Sequence, residues 1–496
     1  MAGTTIVGQT GNPAIDTLLE GVKWDTATLT YGFPTAASRW TDYSAGSEPF
    51  TGFTALNAQQ QGATAAALAS WAKVANLNFV PASEPAAVAD LRFAGTSGVG
   101  TAHSYYPSGS DIGGDTWFGT RLSGDAAWTP GDYDFFTAVH EIGHSLGLKH
   151  PHEAAQFGSG GVADASLDAM ELTVMSYRSF PEASLSTGIT VQPGSFAKGP
   201  MLDDIAAIQK LYGANFATNA GDTLYRFAPG QGIIFETTWD GGGTDTYDLS
   251  AYTTAVTVNL MPGGWSTFST AQLARLDQTN LSTLARGNVA NAYLPDGDAR
   301  ALIENAVAGG GNDALAGNDG ANTLTGNAGS DTVTGAGGAD ALFGNQGSDA
   351  LQGDAGADTL FGGQDGDVLF GGDDADALYG NMAGDRIYGG ADADALFGGQ
   401  GDDLLLGEAG DDVLAGNLGV DTLYGGAGAD RFLAGSEDVV ADFNAAEGDT
   451  MQTAAAAPWT VGSADGNAVI TLAGGGTVTL LGVPPSAVHD GFFVTG

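Results

Sequence analysis

Gly326-Asn-Ala-Gly-Ser-Asp331-Thr-Val333-Thr-Gly335-Ala-Gly-Gly-Ala-Asp340-Ala-Leu342-Phe343 is one nine-residue pattern written twice. The period runs without a slip from Ala308 to Leu433, through fourteen units. The sixth place is Asp in thirteen of them, at Asp313, Asp331, Asp340, Asp349, Asp358, Asp367, Asp376, Asp385, Asp394, Asp403, Asp412, Asp421 and Asp430, and Asn322 fills it in the other. The eighth place is always Leu, Val, Ile or Phe, which offers one apolar side chain per unit to a core. So short a fixed period means that every unit is one turn-and-strand element stacking on its neighbours, with glycine permitting the turn. Two units per coil predict a parallel, all-β roll of about seven coils.

The turns carry a second message. Inward-facing carbonyls and an Asp carboxylate are hard oxygen donors, the ligand set of Ca2+. Residues 308–433 hold 21 Asp and one Glu against two Arg, a net charge of −20 in a chain whose formal charge is −43. That field excludes nucleic acid and anionic membrane as partners, and a divalent cation answers it. Ordering a Gly-rich backbone costs ~1–2 kcal/mol per residue, more than one aliphatic side chain per unit recovers, so several structural Ca2+ ions are expected to supply the difference. In four successive units the fourth-place glycine gives way to Asp365, Asp374, Ala383 and Asp392. Ala383 is the poorest fit to a left-handed turn.

Upstream of the repeats the composition becomes mixed and aromatic, as a buried core requires. Three of the six histidines fall within His140-Glu-Ile-Gly-His144-Ser-Leu-Gly-Leu-Lys-His150. Phe135, Val139, Ile142 and Leu146 recur at helical spacing, which predicts an amphipathic helix with His140 and His144 one turn apart on an adjacent face. Gly147 suits a helix end, His150 then folds back as a third imidazole, and Pro151 prevents the helix from resuming. Three nitrogen ligands fit one Zn2+ ion and leave a position for water, the arrangement of catalytic sites. Glu141 lies beside that position as a general base. His103, His152 and His489 lack such spacing; His152 is at most a contact on the rim.

His140, Glu141, His144, Gly147 and His150 fill the H-E-x-x-H-x-x-G-x-x-H pattern, and the chain here resembles the metzincin metalloproteases. Thr173-Val-Met-Ser-Tyr177 resembles their methionine turn, in the version of the serralysin branch. Asn12-Pro-Ala-Ile-Asp-Thr-Leu-Leu19 with Lys23-Trp24 is similar to the start of the serralysin catalytic domain, and Leu202 to Gly213 to its closing helix. The resemblance implies an α+β catalytic domain ahead of the roll, Met175 as an apolar support beneath the zinc ligands, and Tyr177 as a further zinc ligand that turns to the oxyanion during turnover. It also implies an endopeptidase acting on protein or peptide substrates, with Asp115 to Gly119 as the edge strand that aligns them. Asp240, Asp245 and Asp248, in a segment like a half-formed repeat, are further calcium candidates by the same resemblance.

These readings divide the chain into a catalytic domain over 1–215, a β-rich connection over 216–307, the roll over 308–433 and a β cap over 434–496. There is no cysteine, so disulfides cannot staple the fold. The first 24 residues carry no basic region followed by an apolar run, and no stretch is long and apolar enough to span a membrane. The resemblance therefore implies a monomer secreted through a type I apparatus, using the tail Val488 to Gly496 as its signal. Two other readings compete. One is an inactive, calcium-dependent surface or matrix protein; the other is zinc hydrolysis of an amide that is not a peptide.

Overall fold

The computed structural model describes residues 2–40, 42–82, 89–123, 128–158, 160–453, 459–471 and 476–495. The chain forms two units: Met1–Gly221 with Gln231–Gly243 and Pro262–Ala301, and Asp222–Gly230 with Thr244–Met261 and Leu302–Gly496. Residues 216–307 alternate between them.

In the first unit a five-stranded sheet runs Asn78–Pro81, Thr28–Gly32, Leu91–Gly95, Thr116–Phe118, Ala102–Ser104, parallel except for the last strand. The strand Thr116–Phe118 is buried at every residue. Trp117 packs on Trp40 at 4.2 Å and Phe118 on Trp128 at 4.6 Å between ring centroids, so each ring has its own cover. This corrects the expectation that Asp115 to Gly119 is the edge. Such a doubly apolar run belongs inside a sheet, and the edge falls to Ala102–Ser104. Asp115 completes the inner strand by taking both Nε and Nη2 of buried Arg92, each at 2.7 Å.

The helix Ala58–Val74 opens with a capping box between Asn57 and Gln60 and packs against the helix Tyr133–Ser145. Phe135, Val139, Ile142 and Leu146 are all buried, as their spacing predicts. Two indoles pin the second helix from outside: Trp71 donates to Val139 O at 3.1 Å and Trp24 to Ser145 O at 2.9 Å. The helix stops where Gly147 takes φ 106°, and a Cβ there would lie 2.3 Å from Val22 O. The closing helix forms over Leu202–Tyr212.

In the second unit the repeats wind into a parallel roll. Fourteen strands from Ala314–Ala316 to Arg431–Leu433 alternate between two sheets, each paired with the strand eighteen residues on: Leu324 with Leu342 with Leu360, and Val333 with Leu351. Two units therefore make one coil, and seven coils stack. The eighth-place side chains form a single buried column between the sheets. Ala383 adopts φ 74° and Asp365, Asp374 and Asp392 φ 69–73°, so the turn survives the loss of glycine in all four units. Beyond the repeats, strands such as Val439–Val440, Thr450–Thr453 and Thr477–Leu480 continue both sheets. Gly496, the last residue of the tail singled out above, lies outside the described residues.

Candidate metal centre

The Tyr133–Ser145 helix presents His140 and His144 one turn apart, and the turn at Gly147 brings His150 back to them. His150 Nε2 lies 3.1 Å from His140 Nε2 and 3.0 Å from His144 Nε2. The other ring nitrogens settle the protons. His140 Nδ1 is 2.7 Å from Val174 O, His144 Nδ1 2.8 Å from Leu148 O, and His150 Nδ1 2.9 Å from Glu153 Oε2. Carbonyl and carboxylate oxygens only accept, so each Nδ1 carries the hydrogen and each Nε2 is a bare lone pair. Three lone pairs aimed at one point repel one another unless a cation sits among them. Burial meanwhile pushes all three imidazoles well down toward the neutral form that a metal needs, His140 to about 4.

The neighbouring groups follow the same logic. Glu141 is buried, its Oε2 has no hydrogen-bond partner, and burial pushes its carboxyl up to about 8. A positive charge nearby is what would ionise it. Met175 is fully buried beneath the helix; a Cβ on Gly143 would meet its sulfur at 2.5 Å. Asp204 fixes that turn by accepting from Thr173 Oγ1, Val174 N and Met201 N at 2.6, 2.7 and 2.9 Å. Tyr177 lies over the histidines, its ring centroid 4.2 Å from that of His150, with its side of the ring open to solvent. Burial by its neighbours and the Glu141 charge raise its phenol above the ordinary range. His152 stacks on His150 at 5.4 Å, within 9° of parallel, at the rim.

A cleft of about 620 Å3 opens beside His140, Glu141 and Tyr177, with Phe136, Phe196, Ile189 and Val191 in its wall. The edge strand Ala102–Ser104 contributes Ala102 to the same cleft, and Thr101 just before it lines the cleft too. The reading from sequence missed Glu153, which orients His150, and Leu148, whose carbonyl orients His144. A carboxylate three residues after the last ligand was the available signal for the first; nothing in a side chain announces the second.

The repeat carboxylates show a matching pattern. From Asp331 to Asp430, Oδ1 accepts the backbone N–H of the sixth-place residue one coil earlier, as from Asp313 to Asp331 and from Asp331 to Asp349, both at 2.7 Å. Oδ2 is buried without a hydrogen-bond partner in Asp331, Asp340, Asp349, Asp358, Asp367, Asp376, Asp385, Asp394, Asp403, Asp412, Asp421 and Asp430. A Cβ built on Gly335 would lie 2.2 Å from Asp340 Oδ2 and 2.8 Å from Gly353 O, so the turn needs glycine there and brings carboxylate and carbonyl oxygens of adjacent coils near one another. Open carboxylate oxygens with carbonyls nearby are the hard donors that suit Ca2+. The first two units differ. Asp313 Oδ2 accepts from Gly309 N at 3.1 Å, and Asn322 donates from Nδ2 to Glu304 O at 2.8 Å. Of the further candidates, Asp240 accepts from Gly242 N, Asp245 from Thr223 N, and Asp248 from Ser250.

Comparison with known proteins agrees with both halves of this picture. Residues 51–157 match the Matrixin family of M10 peptidases, residues 204–360 the C-terminal region of the M10 serralysins, and four stretches between 343 and 438 the RTX calcium-binding nonapeptide repeat. The chain is 36% identical over 321 residues to a metallopeptidase AprA of Pseudomonas marginalis, covering 59% of this chain and 61% of that protein. It is 35% identical over 287 residues to a serralysin C of Dickeya chrysanthemi (53% and 55%), and 31% identical over 326 residues to a serralysin of Proteus mirabilis (60% of each). The matches thus span between about half and three fifths of these relatives' own length.

Proposed function

From the premise that this chain carries the M10 peptidase domain, the serralysin C-terminal domain and the RTX repeats of the serralysins, we propose that it is a secreted zinc endopeptidase whose roll folds on Ca2+. The observation that carries the reading is the meeting of three bare Nε2 atoms, each with its Nδ1 committed to an acceptor. His140, His144 and His150 would hold the metal, with Tyr177 above them. A zinc ion bound there supplies Lewis-acid polarisation of the scissile carbonyl and lowers the pKa of water toward ~7.

The chain's own residues do the rest. An extended peptide adds to the open edge of Ala102–Ser104, which holds it straight across the cleft without regard to its sequence. Its side chain next to the cut enters the apolar cleft between Phe136, Phe196 and Val191. Glu141 takes the proton of the attacking water at its free Oε2 and passes it to the leaving amine. The Tyr177 phenol, held protonated, donates to the oxyanion as the carbonyl carbon becomes tetrahedral. Export by a type I apparatus fits the same proposal, since a chain whose roll needs Ca2+ stays unfolded where calcium is scarce. Among the described residues no helix is long and apolar enough to cross a membrane.

Metal analysis of the purified protein should find one zinc per chain, and casein hydrolysis should fall at least ~100-fold in Glu141→Ala while that zinc is retained. Hydrolysis unchanged in that variant would rule the mechanism out. Zinc bound without any hydrolysis by the unaltered chain would favour the inactive surface or matrix protein.

A further inference from the structure

Lys149 stands between two residues that set the metal ligands, and no step above uses it. Leu148, before it, gives its carbonyl to His144 Nδ1. His150, after it, is the third ligand. Lys149 itself is completely buried, and its ammonium is surrounded by backbone oxygens: Thr17 O and Glu153 O at 2.5 Å, Gly161 O at 2.9 Å and His150 O at 3.3 Å. Such a shell of carbonyls is what a protein builds around an inorganic cation; here the cation is part of the chain. The charges that face it are Glu20, Glu153 and Asp168.

The four oxygens come from three separate stretches. Thr17 belongs to the N-terminal segment, which also pairs with the ligand turn through Lys149 N to Leu18 O at 2.8 Å and Glu20 N to Gly147 O at 3.0 Å. Glu153 and Gly161 lie at two ends of the loop that follows His150. That loop presses on the same segment: a Cβ on Gly160 would lie 2.5 Å from Leu19 O. Glu153 is also the residue that orients the His150 ring. One ammonium therefore ties the residue that fixes His150 to the N-terminal segment, which is itself paired with the turn that fixes His144.

We propose that Lys149 is a positioning residue for the zinc site, an internal cation that holds the backbone at Glu153 and Gly161 so that the His144 and His150 lone pairs converge. The inference rests on the zinc reading above. Removing the ammonium takes the shared donor from four backbone carbonyls, and the chain around them is then free to relax at the two ligands it orients.

The test uses the full chain in saturating calcium. Lys149→Met keeps the length and apolar stem of the side chain. Zinc release to a chromophoric chelator should be ~10–100-fold faster than from the unaltered protein, the scale seen when groups that orient metal ligands are removed. The visible spectrum of the Co2+-loaded variant should shift as the ligand geometry changes. A residue serving only general stability would lower the melting temperature and leave both readouts alone; equal release rates and equal spectra would therefore overturn the proposal. Should Lys149→Met fail to fold, Gly160→Ala keeps the lysine and moves one oxygen-bearing stretch off Leu19, and unaltered release from that variant counts equally against it. If the unaltered chain binds no zinc, the metal reading fails first, and the role assigned to Lys149 with it.

Discussion

At the scale of single residues, the chemistry of both metal systems turns on atoms that lack a partner inside the protein. A buried acceptor without a hydrogen bond costs ~1–3 kcal/mol, so a column of twelve such carboxylate oxygens is not left to chance. Asn322 shows the alternative. Its amide puts a donor where twelve units of the roll have an open acceptor, and it is satisfied by Glu304 O and by Asn318 Oδ1 at 3.3 Å. Asn322→Asp should therefore turn a closed position into an open one. We expect calorimetric titration of the chelated protein to count one more Ca2+ per chain, and chelator to destabilise the variant by a further ~1–3 kcal/mol. An unchanged count would show that the oxygens around Glu304 cannot form a site. The sixth-place Asp pattern was legible from sequence, but the separate behaviour of Asp313 was not, because it depends on where Gly309 N falls in the folded turn.

At the scale of elements, the Tyr133–Ser145 helix is placed by its neighbours as much as by its own pattern. Its apolar stripe was legible, and so was its end at Gly147. The two indoles that grip Val139 O and Ser145 O come from residues 68 and 121 positions away, beyond the reach of local reading. The sheet teaches the same lesson: Trp117 and Phe118 looked like an exposed edge until Trp40 and Trp128 were found covering them. Beside them, the Arg92–Asp115 pair is buried and bidentate, shared with Tyr43 at 2.8 Å. Burial outweighs the arginine and holds the Asp115 carboxyl up, at about 7. Arg92→Met would leave that carboxylate with no counter-charge, and unfolding by denaturant should show a loss of ~3–5 kcal/mol. A loss below about 1 kcal/mol would mean that the aspartate is already neutral in the folded sheet.

At the scale of the whole molecule, a net charge of −43 and a roll of half-satisfied carboxylates are what support the proposal that the roll folds on Ca2+. Burial raises the repeat carboxyls, to about 6 in Asp331 and about 8 in Asp367. The sign follows from linkage: a carboxyl harder to ionise when folded stabilises the fold while it is protonated, and that stability is lost as pH rises from ~4 through the folded values. In chelator, then, the strand signal in circular dichroism should persist at pH 5 and collapse by pH 8, and Ca2+ should restore it at pH 8. A strand signal in chelator that strengthened with pH would contradict this account. The sequence alone determined the period, the coil of two units, the three imidazoles and the adjacent carboxylate, because each of these is a spacing, and spacing survives without knowledge of the fold. Tertiary structure alone decided which strand is the sheet edge, which carboxylates are left open, and which oxygens Leu148 and Glu153 offer to the imidazoles and Lys149 gathers around its ammonium. Those are facts about burial and about backbone oxygens brought together from distant parts of the chain, and backbone oxygens are the same in every residue.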